Sequence, residues 1–275
     1  MGETECALTR FRCDVIPMIH IGTKITERKL GWVADFCPIC RLPRAFQFWR
    51  LGEATTLYGV AMTEGALVGL RIDCAECGSA FDTTADRNTA IEPQRPEDFS
   101  YLVFKTFPTM PETMAERFGV EERLRRNPKN LTAEERTQLL VEPFVVLNAM
   151  VQRRESEVRL DPPSAIGCAA TLLLLIAAVC LWHLVPWRFQ DEFVLGAIGL
   201  LTLGMLYTFL QLHLAPKRYL QRVVVPNLVK ALTPLAPERE ELQAVLDVGR
   251  KEKRPLARDL KLEVLWEKLH PRRKG

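Results

Sequence analysis

The chain of 275 residues carries 37 Lys and Arg against 34 Asp and Glu, which gives a formal net charge of +3 at pH 7. This length leaves room for one or two soluble domains beside a membrane element. Because acidic and basic residues are interspersed and nearly balanced, the composition excludes a chain that binds nucleic acid through its overall positive charge.

The N-terminal segment 1–15 is expected to be disordered. It has no apolar run after its start, so we expect no cleavable signal peptide. Cys6 and Cys13 lie in this segment, where they are expected to be free thiols rather than additional metal ligands or a disulfide.

Residues 16–84 are predicted to form a small β-rich domain. Apolar residues alternate in part over 31–36 and 66–73, as in strands with one buried face. Glycines punctuate the stretch between these runs, which is typical of short strands joined by turns. This region has little apolar material for a core of its own, so it needs another source of stability.

Two Cys-x-x-Cys pairs in this domain carry the main chemical signal. Cys37-Pro-Ile-Cys40 and Cys74-Ala-Glu-Cys77 supply four thiolates, the full ligand set of a closed structural zinc site. Two intervening residues let the backbone turn beneath a metal while both sulfurs point at it. The sequence therefore predicts a structural Zn²⁺ site, which would supply much of the folding free energy of this region. The predicted ligands are Cys37, Cys40, Cys74 and Cys77.

Other chemistries use the same cysteines. An iron centre of the rubredoxin type has the same four ligands, so iron is an alternative to zinc. A dithiol redox pair also uses Cys-Pro-x-Cys, but the thioredoxin-like fold needs a helix after the motif, and Arg41-Leu-Pro43 opposes one. Four thiolates leave no open position for catalysis on zinc. We therefore predict no catalytic residues and no enzyme activity.

Three runs in this domain resemble the small Cys-Pro-x-Cys…Cys-x-x-Cys zinc-ribbon family. They are Ile19-His-Ile-Gly-Thr-Lys24, Gly31-Trp-Val-Ala-Asp-Phe-Cys-Pro-Ile-Cys40 and Ile72-Asp-Cys-Ala-Glu-Cys-Gly78. The resemblance covers only residues 16–84, and it implies zinc binding with no assigned catalytic activity. Gly78 after the second pair suits a knuckle turn, whereas Arg41 departs from the pattern at the same place in the first pair.

Residues 93–160 are predicted to form a helical cytosolic segment. One helix is expected over 111–126, ended by Asn127-Pro128, and a second begins at Thr132, where Glu135 has the spacing of a capping box. Pro143 is expected to kink or split this second helix. Its apolar residues recur at helical intervals: Leu139, Leu140, Phe144, Leu147 and Met150.

Two long apolar runs follow, 165–184 and 193–214, and neither contains a charged residue. Each is long enough to cross a bilayer, so we predict transmembrane helices at 164–187 and 193–215 that form a hairpin. The alternative is a buried hairpin of a soluble helical domain. Cys168 and Cys180 lie in the first run and are expected to act as small packing residues.

Basic residues on both sides of this hairpin predict its orientation. Arg153, Arg154 and Arg159 precede it, and Lys217, Arg218 and Arg222 follow it. By the positive-inside rule both flanks, and both termini, are then cytosolic, including a helical tail at 216–275. A reducing cytosol keeps the four paired cysteines as thiols able to bind metal.

The sequence thus predicts a multidomain membrane protein with a zinc ribbon, helical segments, a two-helix transmembrane hairpin and a helical C-terminal tail. We predict a binding or scaffold protein that presents a cytosolic surface to a protein partner. One alternative is a membrane-tethered nucleic-acid-binding ribbon, and another is a dithiol or iron redox protein. The nucleic-acid alternative depends on a group of interleaved basic and aromatic residues: Arg41, Arg44, Arg50, Arg71, Phe46, Phe48 and Trp49. The oligomeric state stays open. Small residues in the second apolar run can allow close contact between helices: Gly196, Gly199 and Gly204.

Overall fold

The computed structural model describes residues 21–57, 60–156, 161–182 and 190–271. The predicted disordered segment 1–15, with Cys6 and Cys13, lies outside these residues. Within them the fold class is confirmed in outline: an antiparallel sheet is followed by helices, two long apolar helices and a helical C-terminal part.

The sheet is built on one long pair of antiparallel strands. The strands are β1 Ile21–Cys37, β2 Leu42–Leu57, β3 Val60–Ala61, β4 Ala66–Cys74 and β5 Ala80–Thr83. Their order in the sheet is β1-β2-β4-β5, with the short β3 paired to β2. β1 and β2 pair from Ile21 opposite Leu57 to Cys37 opposite Leu42, so the sheet is much longer than it is wide. Gly31 lies at a bulge in β1, and a Cβ there would be 2.4 Å from the carbonyl oxygen of Glu92.

Four helices follow the sheet, and the first packs on β1 and β2 in a small core of its own around Trp32 and Leu102. The predicted capping box is confirmed: Thr132 Oγ1 accepts from the amide of Glu135 at 3.2 Å, and the Glu135 carboxylate accepts from the amide of Thr132 at 3.0 Å. The helix after it continues through Pro143 and does not split there. The bounds are α1 Phe99–Thr106, α2 Met110–Thr113, α3 Ala115–Arg126 and α4 Ala133–Ser156.

The two apolar runs form α5 (Pro162–Trp182) and α6 (Gln190–Tyr219), here called the hairpin. Both are long and apolar enough to cross a membrane, and their apolar windows are only 11% and 0% buried. The two helices meet through small residues, since Gly204 faces Thr171 and Gly167 faces Thr208, and the two threonine hydroxyls lie 3.1 Å apart. A Cβ added at Gly196 or Gly199 would meet no atom within 4 Å.

The chain leaves the hairpin without a break in its helical path. α6 passes through a π-helical turn, Leu220–Val224, directly into α7 (Val225–Leu232). Three further helices follow: α8 Arg239–Lys251, α9 Pro255–Asp259 and α10 Leu262–Leu269.

One hydrophobic core joins the sheet to helices from both sides of the hairpin. Phe46 and Ile72 of the sheet belong to the same buried cluster as Leu147 of α4, Leu228 of α7 and Leu246 of α8. We call β1–β5 with α1–α4 and α7–α10 the body. The predicted boundaries of ribbon, helical segment and tail stay predictions, but this core crosses them.

Candidate metal centre

All four predicted ligands come together at one end of the sheet. Cys37 ends β1 and Cys74 ends β4, and Cys40 and Cys77 lie in the turns that follow these strands. β1 and β4 pair with opposite sides of β2 and run in the same direction, so their last residues lie at the same end of the sheet. The four Sγ atoms all lie within 4.8 Å of one another.

The sulfur separations fit a tetrahedral ion. The distances between the two turns are 3.5 Å from Cys37 Sγ to Cys77 Sγ and 4.0 Å from Cys40 Sγ to Cys74 Sγ. A zinc–sulfur bond of about 2.3 Å gives a tetrahedron with sulfur separations of about 3.8 Å. Cys37 and Cys74 are almost fully buried. The cluster can therefore hold a metal ion whose coordination is completed by protein alone.

Both turns have the knuckle conformation, in which the residue after the second cysteine has a positive φ. Gly78 has φ 68° and Arg41 has φ 54°. A backbone amide donates a hydrogen bond within each turn. In the first turn Cys40 N donates to Cys37 Sγ at 3.4 Å, and in the second Gly78 N donates to Cys74 O at 2.9 Å. Glycine adopts this conformation without steric cost, whereas arginine does not, so the first knuckle needs another source of stability.

The Arg41 side chain supplies that stability by reaching two helices of the body. Its guanidinium is buried, and its Nη2 donates to the carbonyl oxygen of Leu139 at 3.1 Å. That carbonyl lies four residues before Pro143, which has no amide hydrogen to give it. Nε of Arg41 donates to the carbonyl oxygen of Ala231 at 2.7 Å, in the last turn of α7. Both carbonyls lack their regular helical donor, so Arg41 satisfies them.

A buried acidic group balances this arginine. Glu121 of α3 is 3% exposed at its side chain and lies 3.1 Å from Arg41 Nη1 and 3.0 Å from Arg117 Nη2. Burial lowers the pKa of Arg41 from its ordinary value, and the charge of Glu121 opposes that change. The knuckle is thus fixed to α3, α4 and α7 by charged hydrogen bonds in the core.

α7 contacts the sulfur cluster directly from the other side. Lys230 Nζ donates to Cys40 Sγ at 3.3 Å, and Asn227 Nδ2 donates to the carbonyl oxygen of Cys77 at 3.0 Å. Partial burial acts to lower the pKa of Lys230, but the hydrogen bond to Cys40 and the charges of Cys40, Cys77 and Cys74 together outweigh it, and the pKa is raised. The neighbouring thiols, Cys37 first, hold the pKa of Cys40 well below its usual range, and Lys230 adds to this effect. Lys230 therefore favours a thiolate at Cys40.

The basic and aromatic residues of the nucleic-acid alternative do not form one exposed face. Arg41 lies in the core, and Arg71 is buried with Glu27 at 2.8 Å and Asp73 at 2.8 Å. Phe46 and Phe48 are buried as well. Arg50 is half-buried and donates to the carbonyl oxygen of Gly65 at 2.8 Å.

The residues that surround the cluster were not predicted from the sequence. Lys230 and Asn227 lie more than 140 residues from the cysteines that they contact, and no local pattern marks them. Two signals existed for Arg41: a non-glycine residue at a knuckle position, and an unpaired carbonyl implied by Pro143. Only the three-dimensional arrangement connects the two.

No protein-family model matches the chain, and neither does any curated protein or solved structure. The resemblance to zinc-ribbon proteins therefore stays a prediction. What supports a metal site is the geometry of four thiols drawn from two knuckles, with a lysine beside one of them.

Proposed function

We propose that this chain is a membrane-anchored scaffold whose body is held together by a structural zinc ion. The observation that carries the proposal is the closed cluster of Cys37, Cys40, Cys74 and Cys77, with sulfur separations near those of a tetrahedral zinc–thiolate site. Four protein ligands leave no place on the ion for water or substrate, so the metal serves the fold and not a reaction.

The cluster is sited where a structural ion has most effect. It joins β1 to β4, the two strands on either side of β2, and it lies against α7 through Lys230 and Asn227. Without a metal, four thiols and their knuckles would be held by hydrogen bonds alone. Metal binding therefore contributes free energy to the folding of the body, as structural zinc does in other small domains.

The hairpin provides the membrane anchor in this proposal. A core helix of a soluble protein is mostly buried, whereas α5 and α6 leave their apolar side chains open along their length, with buried shares of 11% and 0%. So large an exposed apolar surface is stable only in contact with lipid or with another apolar partner. The flanking residues Arg153, Lys217 and Arg222 favour a cytosolic base for the hairpin.

An ion pair closes the base of this hairpin. Arg218 of α6 lies 2.7 Å from Asp161, which directly precedes α5, and it also donates to the Gln211 side chain at 2.6 Å. The body continues from this base through α7, so on the α6 side anchor and body share one helical path. A body fixed in this way presents a defined cytosolic surface to a protein partner.

The test is metal analysis of the full chain, purified from membranes, with two matched cysteine variants. We expect one zinc per chain in the unmodified protein and in Cys180→Ser, because Cys180 is an exposed residue of α5 outside the cluster. We expect Cys74→Ser to lose the metal and to unfold at lower temperature. Iron, or a reversible disulfide in place of a metal, would replace this proposal with the redox alternative.

A further inference from the structure

The outer half of the sheet carries an unusual set of exposed apolar side chains. We call residues 21–29, 50–57 and 60–69 the sheet tip; they lie at the end of the sheet remote from the cysteines. Six large apolar side chains there are between 37% and 67% exposed: Ile25, Leu57, Val60, Met62, Leu67 and Val68. Such a patch at the end of a long sheet points to a contact with something outside the chain.

The direction of the sheet tip follows from contacts at two levels of the body. At the level of the cysteines, Arg41 bonds to both α4 and α7, and Asn227 bonds to Cys77. Further along, Arg153 near the end of α4 bonds to Asp82 at 2.7 Å, and Asp82 pairs with Arg71 of β4.

Tyr219, the last residue of α6 before the π-helical turn into α7, lies at this second level. It lines a cavity together with Arg71, Asp73 and Arg153. α4, α7 and β4 therefore run side by side between the two levels, and α4 and α7 lead at the second level into the hairpin.

The lengths of the strand and helix segments between the two levels agree with this arrangement. Tyr219 and Asn227 are about 12 Å apart along a helix that rises 1.5 Å per residue. Arg71 and Cys74 are about 10 Å apart along a strand that rises about 3.3 Å per residue. Beyond Arg71, β4 continues to Ala66 for about 16 Å more, and β2 extends further still to Leu57. The sheet tip thus extends past the hairpin base on the side where α5 and α6 project.

We propose that the sheet tip is a second membrane contact, in which its apolar side chains enter the headgroup region of the cytosolic leaflet beside the hairpin. This inference rests on the proposed membrane insertion of α5 and α6, because the bilayer that they enter is the surface that the sheet tip reaches. The occupant is lipid: the sheet tip lies on the side of the body from which α5 and α6 project, and its exposed apolar side chains lie outside the packed core.

The contact is apolar and not electrostatic. Arg28, in the sheet tip, is paired with Glu64 at 2.7 Å. The charges of the whole tip nearly balance, with four basic residues, Lys24, Arg28, Lys29 and Arg50, against three acidic ones, Glu27, Glu53 and Glu64. Contact with the bilayer therefore needs no acidic lipid. The sheet tip should contact neutral and acidic membranes to the same extent. This distinguishes it from a basic patch, whose binding depends on anionic lipids.

The test is photocrosslinking of the full chain in nanodiscs of neutral phosphatidylcholine. A benzophenone amino acid replaces Met62 in the sheet tip, Leu203 in α6, or Phe104 in α1, three side chains of similar exposure. Phe104 serves as the negative control because α1 lies beside β1 near the cysteine end of the sheet. Mass spectrometry then detects lipid adducts.

We expect lipid adducts at Met62 and Leu203 and none at Phe104, with the Met62 yield unchanged when acidic lipid is added. An adduct at Leu203 without one at Met62 would overturn the second contact and leave the anchor intact. A crosslink from Met62 to another copy of the chain would also overturn it, in favour of self-association. No lipid adduct at either position would contradict the membrane anchor and this inference together.

Discussion

Arg41 combines two roles that one residue seldom has. Its backbone completes a knuckle of the cysteine cluster in a conformation that costs an L-residue roughly 1 kcal/mol, and its side chain satisfies a carbonyl that Pro143 leaves without a donor. The two features compensate each other. Pro143 is tolerated inside α4 because Arg41 donates to the Leu139 carbonyl that Pro143 leaves unpaired. Arg41 is tolerated in the knuckle because carbonyl groups of α4 and α7 accept from its guanidinium.

Arg41→Gly is therefore expected to destabilise the protein despite relieving backbone strain. The carbonyls of Leu139 and Ala231 would lose their donor in the core, and the expected net loss is about 2–3 kcal/mol of unfolding free energy. Pro143→Ala restores an amide to the Leu139 carbonyl, so Arg41→Gly should cost about 1 kcal/mol less in that background. Denaturant unfolding of the four proteins of this cycle measures the coupling, and strict additivity would contradict it.

Lys230 is the cation that contacts the cysteine cluster, at 3.3 Å from Cys40 Sγ. A zinc ion held by four thiolates would carry a net charge of −2, and Lys230 would offset part of it. We expect Lys230→Met to weaken metal affinity about 10- to 100-fold, as loss of outer-shell partners does at other sites. Lys230→Arg should retain most of the affinity, and Lys251→Met is a control in α8. Competition with a chromophoric chelator measures all three, and equal affinities would remove the role given to Lys230.

Several elements could be predicted from local pattern alone. The cysteine spacing predicted a four-thiol cluster, and the capping box predicted the start of α4. The two long apolar runs without charged residues predicted both hairpin helices. The continuation of α4 through Pro143 could not be predicted, because the donor that permits it is about a hundred residues away. The same holds for α7 against the knuckles, since hydrophobic periodicity predicts a helix but not the surface that it covers.

The base of the hairpin depends on an ion pair between elements. Arg218 holds the pKa of Asp161 at about 2, chiefly by a hydrogen bond. Since an unfolded Asp titrates near 4, the pair contributes stability that is complete above that pH and is lost as pH falls through about 2. We expect Asp161→Asn to lower the melting temperature at pH 7 and the difference to shrink below pH 4. A difference independent of pH would show that the carboxylate charge has no part in it.

The chain segments on both sides of the hairpin build one body. α7 and α8 contribute Leu228 and Leu246 to the core that also holds Phe46 and Ile72. The cysteine cluster is therefore completed by residues that follow the two hairpin helices. This arrangement links the fold of the body to the hairpin, since α6 and α7 share one helical path.

A fragment that stops at residue 160 is accordingly expected to be a poor zinc protein. It keeps all four cysteines but loses Lys230, Asn227 and the core residues of α7–α10. We expect its metal affinity to fall at least 10-fold below that of the full chain and its β1–β4 amides to exchange rapidly with deuterium. Equal affinity and protection would mean that the ribbon folds by itself.

The decisive experiment for the structural zinc site is metal-edge X-ray absorption of the full chain in lipid nanodiscs. A closed site of four cysteines predicts zinc with four sulfur neighbours at about 2.3 Å. The signal should be retained in Cys180→Ser and lost in Cys37→Ser. Fewer sulfur neighbours with nitrogen or oxygen in their place, or iron at the site, would contradict a closed structural zinc centre.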